Sequence, residues 1–201
     1  VAAENVRENL LGDKLMGEAA VQAMGTAGIV DVETTGLDPR RDEIIELSFV
    51  LFSYDKATGR IGTVLEEYCG QREPTCPISP GAAAVHGLTR PALQGAALDN
   101  VCIQRLFAAA EFIVAHNAAF DRGFLVGLYP QLRTKPFVCS MRCINWYGEG
   151  SPSRGLQHLL ARHGISAGRA HRAGDDTHGL LQLLSCDDKN GVPYFRYLLR
   201  G

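Results

Sequence analysis

Two carboxylates, Asp31 and Glu33, close the apolar run GIVDVETTGL at residues 28–37. Residues two apart on a strand share a face, so both acids stand side by side while Val30 and Val32 point the other way. Like charges so placed repel each other. They are tolerable where the strand end opens to water, where one acid is protonated, or where a divalent cation lies between them, and hard oxygen ligands suit Mg²⁺ or Mn²⁺. Taken alone, the pair reads equally well as two solvated acids. Helical phase adds two more. In the helix that follows IVAHN, Phe120, Phe124, Leu125 and Leu128 mark the apolar face. Asp121 falls within that face and Arg122 outside it. In DDTHGLLQLL, Leu180, Leu181, Leu183 and Leu184 mark the buried stripe, which takes in Asp176 and leaves Asp175 on the opposite side. An acid near a helix start also serves as a cap or a dipole partner, so neither is decisive singly. His171 lies five residues before Asp176, a separation that does not align on a regular helix, so it reaches the acids from a loop that Gly174 marks. A histidine beside a cluster of acids suits a general base; in a polar run it is equally a surface residue.

The elements that must position these groups follow from the hydrophobic pattern. Residues 3–24 read as a helix, and the pattern turns to strand from Ala27. The runs EIIELSFVLFSY and RIGTVLEEYC flank the turn-forming DKATG, which predicts three neighbouring antiparallel strands. After the proline-rich loop EPTCPISPG come short helical patterns, the strand FIVAHN, a helix from about Ala119 and the strand PFVCS. Helices around 140–146, 154–163 and 175–184 and a short YFRYLLR segment follow. Strands first paired as a meander and later alternating with helices predict an α/β fold with a mixed five-stranded sheet. The domain reading is a helical extension over 1–25, one catalytic-type domain over 26–188 and a short closing segment over 189–201.

Composition narrows the function. With 46% apolar and 21% charged residues, the 201-residue chain resembles an ordinary soluble domain rather than a disordered or repetitive one. Twenty basic against 22 acidic residues give a net charge of -2, which excludes a global positive field for long nucleic acid and leaves local contacts. Six scattered cysteines read as free thiols, and the absence of a long apolar run or a signal-like start predicts a cytoplasmic protein with no membrane association. A chain that starts at Val1 reads as processed or trimmed.

VDVETTGL, HNAAFD and HRAGDD occur in the order and approximate separation of the three motifs of the DEDDh exonucleases, the DnaQ-like 3′-to-5′ exonucleases that include polymerase proofreading subunits. The resemblance covers about residues 27–186 and extends to DEIIELSFV, AAAVHGLT and GLQHLLARHGI. Histidine five residues before the last aspartate, rather than tyrosine four before it, places the chain with the histidine branch. The resemblance implies a ribonuclease H-like fold, with three antiparallel strands, then parallel additions, and flanking helices. It further implies two Mg²⁺ or Mn²⁺ ions held by Asp31, Glu33, Asp121 and Asp176, with His171 as the base. The expected reaction is release of nucleoside 5′-monophosphates from single-stranded or frayed DNA or RNA 3′ ends. By position, Thr34, Thr35, Leu37, His86 and Asn117 are expected to hold the terminal nucleotide, and a polymerase or another nucleic-acid-processing protein is the expected partner. Thr177 departs from the alanine frequent in the family after the last aspartate.

Three other functions compete, one of them a metal-dependent phosphohydrolase acting on nucleotides or small esters. Cys139 and Cys143, followed by His158 and His163, have nearly the spacing of a zinc module, although on one helix the two histidines face opposite ways. A non-catalytic nucleic-acid-binding or scaffold domain on the same fold is the third.

Overall fold

A computed structural model describes residues 23–166 and 168–200. The helix expected over 3–24 and most of the 1–25 extension therefore lie outside the described residues, and Met24 already belongs to a strand. Strands β1 (Met24–Thr34), β2 (Ile44–Asp55), β3 (Ile61–Gln71), β4 (Phe112–Ala115) and β5 (Phe137–Cys139) form one sheet in the order β3-β2-β1-β4-β5. The first three pair antiparallel and the last two join parallel, as expected. The DKATG turn closes the β2–β3 hairpin. Asp55 Oδ1 accepts from the amides of Ala57 and Thr58, and Gly59 takes a left-handed φ of 73°.

The alternation along β1 feeds two cores. Val30 and Val32 face a layer made by α2 (Asn100–Ala109) and α3 (Ala118–Leu128), which contribute Ile103, Leu106, Phe107, Phe124 and Leu125. A Cβ at Gly28, on this face, would stand 1.9 Å from the Phe49 ring, so only glycine permits that packing. Ala27 and Ile29 face the opposite layer, where α5 (Leu156–Arg162) and α6 (Ala173–Ser185) bring Leu159, Leu160, Leu180, Leu183 and Leu184. Tyr194, Phe195 and Leu198 of the closing 3₁₀ segment (Tyr194–Arg200) are buried in that same core. Between the two cores the sheet ends at the carboxyl ends of the parallel neighbours β1 and β4, the usual place for a site in an α/β sheet. Two short helices, α1 (Pro80–His86) and α4 (Ser140–Cys143), flank that edge.

Several boundaries moved. The helix expected around 140–146 stops at Cys143, and Trp146 is instead buried in the second core, its indole Nε1–H donating to Ser140 O at 2.9 Å. Gly174 lies in the first turn of α6 rather than in a loop before it; the loop residue is His171, with φ at 60°. Among the described residues no helix is long and apolar enough to cross a membrane.

Candidate active site

β1 ends in the two acids, and its pairing with β2 shows what surrounds them. Asp31 lies opposite Ser48 and Glu33 opposite Glu46; then the register shifts between Glu33 and Thr34. Such an irregularity turns the strand out of the sheet. The outgoing turn is stapled. Thr34 Oγ1 donates to Gly36 O at 2.6 Å, and Thr35 Oγ1 donates to Asp42 Oδ1 and accepts from Glu43 N at 2.9 Å. Leu37 then stands 83% exposed.

The remaining acids arrive from opposite layers. α3 starts after Asn117, whose left-handed φ of 86° turns the chain from β4 into the helix, and Asp121 in its first turn is 2% exposed. Its carboxylate accepts from the amide of Val32 and from its own amide. α6 delivers Asp176, 6% exposed, while Asp175 points elsewhere and accepts from Arg169 N at 2.8 Å. Helical phase had separated these two correctly. Gln157 Nε2 donates to Asp176 Oδ1 at 2.5 Å, and His171 N donates to Asp176 Oδ2 at 3.1 Å.

One oxygen from each of Asp31, Glu33 and Asp176 lies within 4.8 Å of the others, a spacing that one cation can bridge. Asp121 stands outside this trio but close enough for its charge to act on Asp31. Without a cation the cluster retains protons. Burial, then the charges of Asp121, Glu33, Asp176 and Glu46, raise Asp31 well above the usual carboxylate range. Burial and Asp176, Glu46 and Asp121 push Glu33 to about 8 against an opposing pull from Arg172. Burial takes Asp121 to about 7, despite its two amide donors, and raises Asp176. The donor set therefore fits hard divalent ions, whose charge would replace those protons.

A cavity of about 460 Å³ opens on the cluster. Asp31, Glu33, Asp121, His171 and Asp176 line its floor; Thr34, Leu37, His86 and Asn117 line its walls, joined by Val85 and Phe120. Thr35, expected at the 3′ end, is absent from the lining: it is fully buried and its hydroxyl is committed to the turn. His86 lines the wall but both ring nitrogens are engaged. Nδ1 accepts from Leu88 N at 3.0 Å, which leaves Nε2–H to donate to Thr34 O at 3.2 Å. A smaller cavity of about 330 Å³ continues past Asp31 and His171 toward His116, Gln157 and His158.

Gln157, His116 and Glu46 escaped the sequence reading. Gln157 lies three residues before Leu160 and so shares the buried stripe of α5, a signal that helical phase carried. His116 ties the end of β4 to the start of α4 and to the loop before α5, its ring nitrogens 2.9 Å from Ser140 Oγ and 2.7 Å from Arg154 O. The zinc alternative does not survive. His163 Nδ1 bonds Leu159 O at 2.8 Å and its ring packs against Trp146 and Tyr194, whereas His158 faces the smaller cavity. Among the described residues the metal-type cluster found is the acidic trio.

The family model described as an exonuclease, of RNase T type, matches residues 29–184, which span all three motifs. The chain belongs to the RNase T exonuclease family. The acids and histidine in their order mark this exonuclease domain as DEDDh type, on a ribonuclease H-like fold. It is 32% identical over 192 residues to a PolC-type DNA polymerase III of Thermotoga maritima, covering 90% of this chain and 13% of the polymerase. It is 26% identical over 178 residues to the 3′-5′ exonuclease DinG of Staphylococcus aureus, covering 85% of this chain and 19% of that protein. The exonuclease domain thus spans less than a fifth of the length of either relative. Escherichia coli exonuclease I, solved with a dA16 oligonucleotide, shares the fold at a TM-score of 0.66 and 20% identity, over 86% of this chain and 42% of the other.

Proposed function

We propose that this domain removes nucleotides one at a time from the 3′ end of single-stranded or frayed DNA or RNA and releases nucleoside 5′-monophosphates. One observation carries the reading. Acids from a strand and from two helices on opposite faces of the sheet converge with His171 on one cavity whose outer wall is apolar and exposed. Asp31, Glu33, Asp121 and Asp176 would hold two divalent ions. Bound there, such ions supply positive charge that makes a water more acidic and offsets the charge gathering on the phosphodiester. His171, exposed at the cavity and held by its backbone to Asp176, takes the proton of that water. The water oxygen forms the new bond to the terminal phosphorus, and the bond to the 3′ oxygen of the penultimate nucleotide breaks with its electron pair passing to that oxygen.

Leu37 and Val85, 83% and 52% exposed, offer apolar surface to the last base, with Phe120 beside them. Thr34 and Asn117 line the same cavity, and Asn117 makes no capping hydrogen bond with its side chain, so its amide suits a sugar or phosphate contact. Thr35 and His86 hold the wall rather than the ligand. Apolar stacking and sugar contacts read little base identity, so sequence preference is weak. A polymerase or another nucleic-acid-processing protein is the partner that would present such ends.

The reading is tested with 5′-labelled DNA and RNA oligomers, with free and blocked 3′ ends, in Mg²⁺ or Mn²⁺. A descending ladder from free ends is expected, abolished by Asp31→Ala and by His171→Ala. Digestion that survives Asp31→Ala, or runs equally from a blocked end, sinks it. Binding of the oligomers with no metal-dependent cleavage would support the scaffold alternative instead.

A further inference from the structure

Glu46 is the most deeply buried acid in the described chain outside the proposed metal ligands, with 1% of it exposed, and it sits on β2 directly opposite Glu33. A buried carboxylate is expensive unless fully paired. This one is surrounded by donors. Arg172 Nε lies 3.2 and 3.0 Å from its two oxygens and Arg172 Nη2 2.5 Å from Oε1; Gln71 Nε2 donates at 2.8 Å and the Ala173 amide at 2.9 Å. Burial pushes Glu46 up, but those hydrogen bonds outweigh it and keep the carboxyl below its ordinary value. The two residues it grips have a particular place in the chain. Arg172 follows His171, and Ala173 is the first residue of α6, the helix that carries Asp176. That helix has no side-chain cap of its own, so the Glu46 carboxylate takes over the role from a strand 127 residues away.

We propose that Glu46 and Arg172 are a positioning pair for catalysis: by clamping the backbone on the C-terminal side of His171 to the strand beside Glu33, they set the His171 ring over the metal-binding acids. The backbone gives the reason such a clamp is needed. His171 has a φ of 60°, a left-handed conformation that a non-glycine residue holds only when its surroundings impose it. On its own side His171 has one bond to the site, from its amide to Asp176. The clamp supplies the constraint on the other side, through a planar guanidinium fork that a lysine cannot reproduce.

This inference rests on His171 being the base, and the experiment separates the two. Glu46→Gln, Arg172→Lys and the double variant Glu46→Gln/Arg172→Lys are compared with His171→Ala and Ser48→Ala on a 5′-labelled oligonucleotide at saturating Mn²⁺, with kcat and KM measured apart. Ser48→Ala removes a different link between β2 and α6, the hydroxyl pair Ser48–Thr177 at 2.8 Å, and is the structural control. Glu46→Gln and Arg172→Lys should each lower kcat roughly 10- to 100-fold with KM little changed, as expected for a displaced catalytic group. The double variant should be no worse than the poorer single one, because the pair acts as a unit. Ser48→Ala should lower stability and spare kcat. Folded Glu46→Gln and Arg172→Lys proteins with unchanged kcat, a loss confined to KM, or an equal loss of kcat in Ser48→Ala would overturn the clamp. Should Glu46→Gln not fold, Arg172→Lys decides, since it keeps the charge and removes only the fork. Activity retained in His171→Ala overturns the base assignment itself; activity lost there but kept in both clamp variants overturns the clamp alone.

Discussion

Asp121 and Asp176 reach the same cavity from opposite faces of the sheet, and they are held in different ways. Asp121 is fixed by backbone: its carboxylate accepts from the Val32 amide and its own, and α3 beneath it is seated by apolar packing through Phe124 and Leu125. Asp176 is fixed by a side chain and a loop: Gln157 and the His171 amide each hold one oxygen. Backbone donors cannot be removed by substitution, whereas a side-chain donor such as Gln157 can. The α6 half of the site is therefore the half in which position is open to tuning, and it is also the half that carries His171.

The largest expected effect ignores this difference. Asp121→Asn and Asp176→Asn should each lower kcat by roughly 10³-fold or more, because either removes a charge worth several kcal/mol to the transition state; a much smaller loss for one would show that the two are not equivalent ligands. Next comes the apolar seat. Phe124, 4% exposed, should on substitution by alanine cost about 3–5 kcal/mol in denaturant unfolding. The metal affinity that survives should fall with it, since α3 has no side-chain web to keep Asp121 in place.

A pH effect common to both halves should be intermediate. Glu33 at about 8 against an ordinary 4.5, and Asp121 at about 7 against 3.8, bind protons more tightly folded than unfolded. The contribution of these two acids to the stability of the metal-free fold is fully present below their ordinary carboxylate values and is lost as pH rises through 7 and 8. Its melting temperature should be lower at pH 8.5 than at pH 5.5, and Mn²⁺ should restore it at the higher pH; a metal-free protein that gains stability across that window contradicts the buried-acid geometry. Gln157→Ala should weaken metal half-saturation by roughly tenfold, the effect expected of a group that orients a ligand, with no counterpart on the Asp121 side. The smallest effect belongs to Thr177→Ala. Losing its hydroxyl contacts to Ser48 and Gly174 should cost about 1 kcal/mol of stability with kcat nearly intact.

Much of this was legible beforehand because it depends on period alone. The two-residue period of β1 put Asp31 and Glu33 on one face, and the helical period separated Asp121 from Arg122 and Asp176 from Asp175; the order and spacing of the three motifs named the family. Helix ends were less legible. α4 stopped short because Trp146 found a buried place and a carbonyl for its indole, and Gly174 entered α6 because Glu46 caps it from another strand. Thr34 and Thr35 looked alike as neighbours, yet the register shift after Glu33 left one lining the cavity and buried the other.

By itself, then, the sequence determined which residues share a face and which chemistry their types allow, because periodicity and functional groups are local properties. Only the tertiary structure decided which faces meet. It brought Asp176 within reach of β1, paired Glu46 with Arg172 across 126 residues of chain, and separated the four candidate zinc ligands. Those outcomes depend on how the two cores stack on the sheet, and burial, not spacing, sets which polar groups must find each other there.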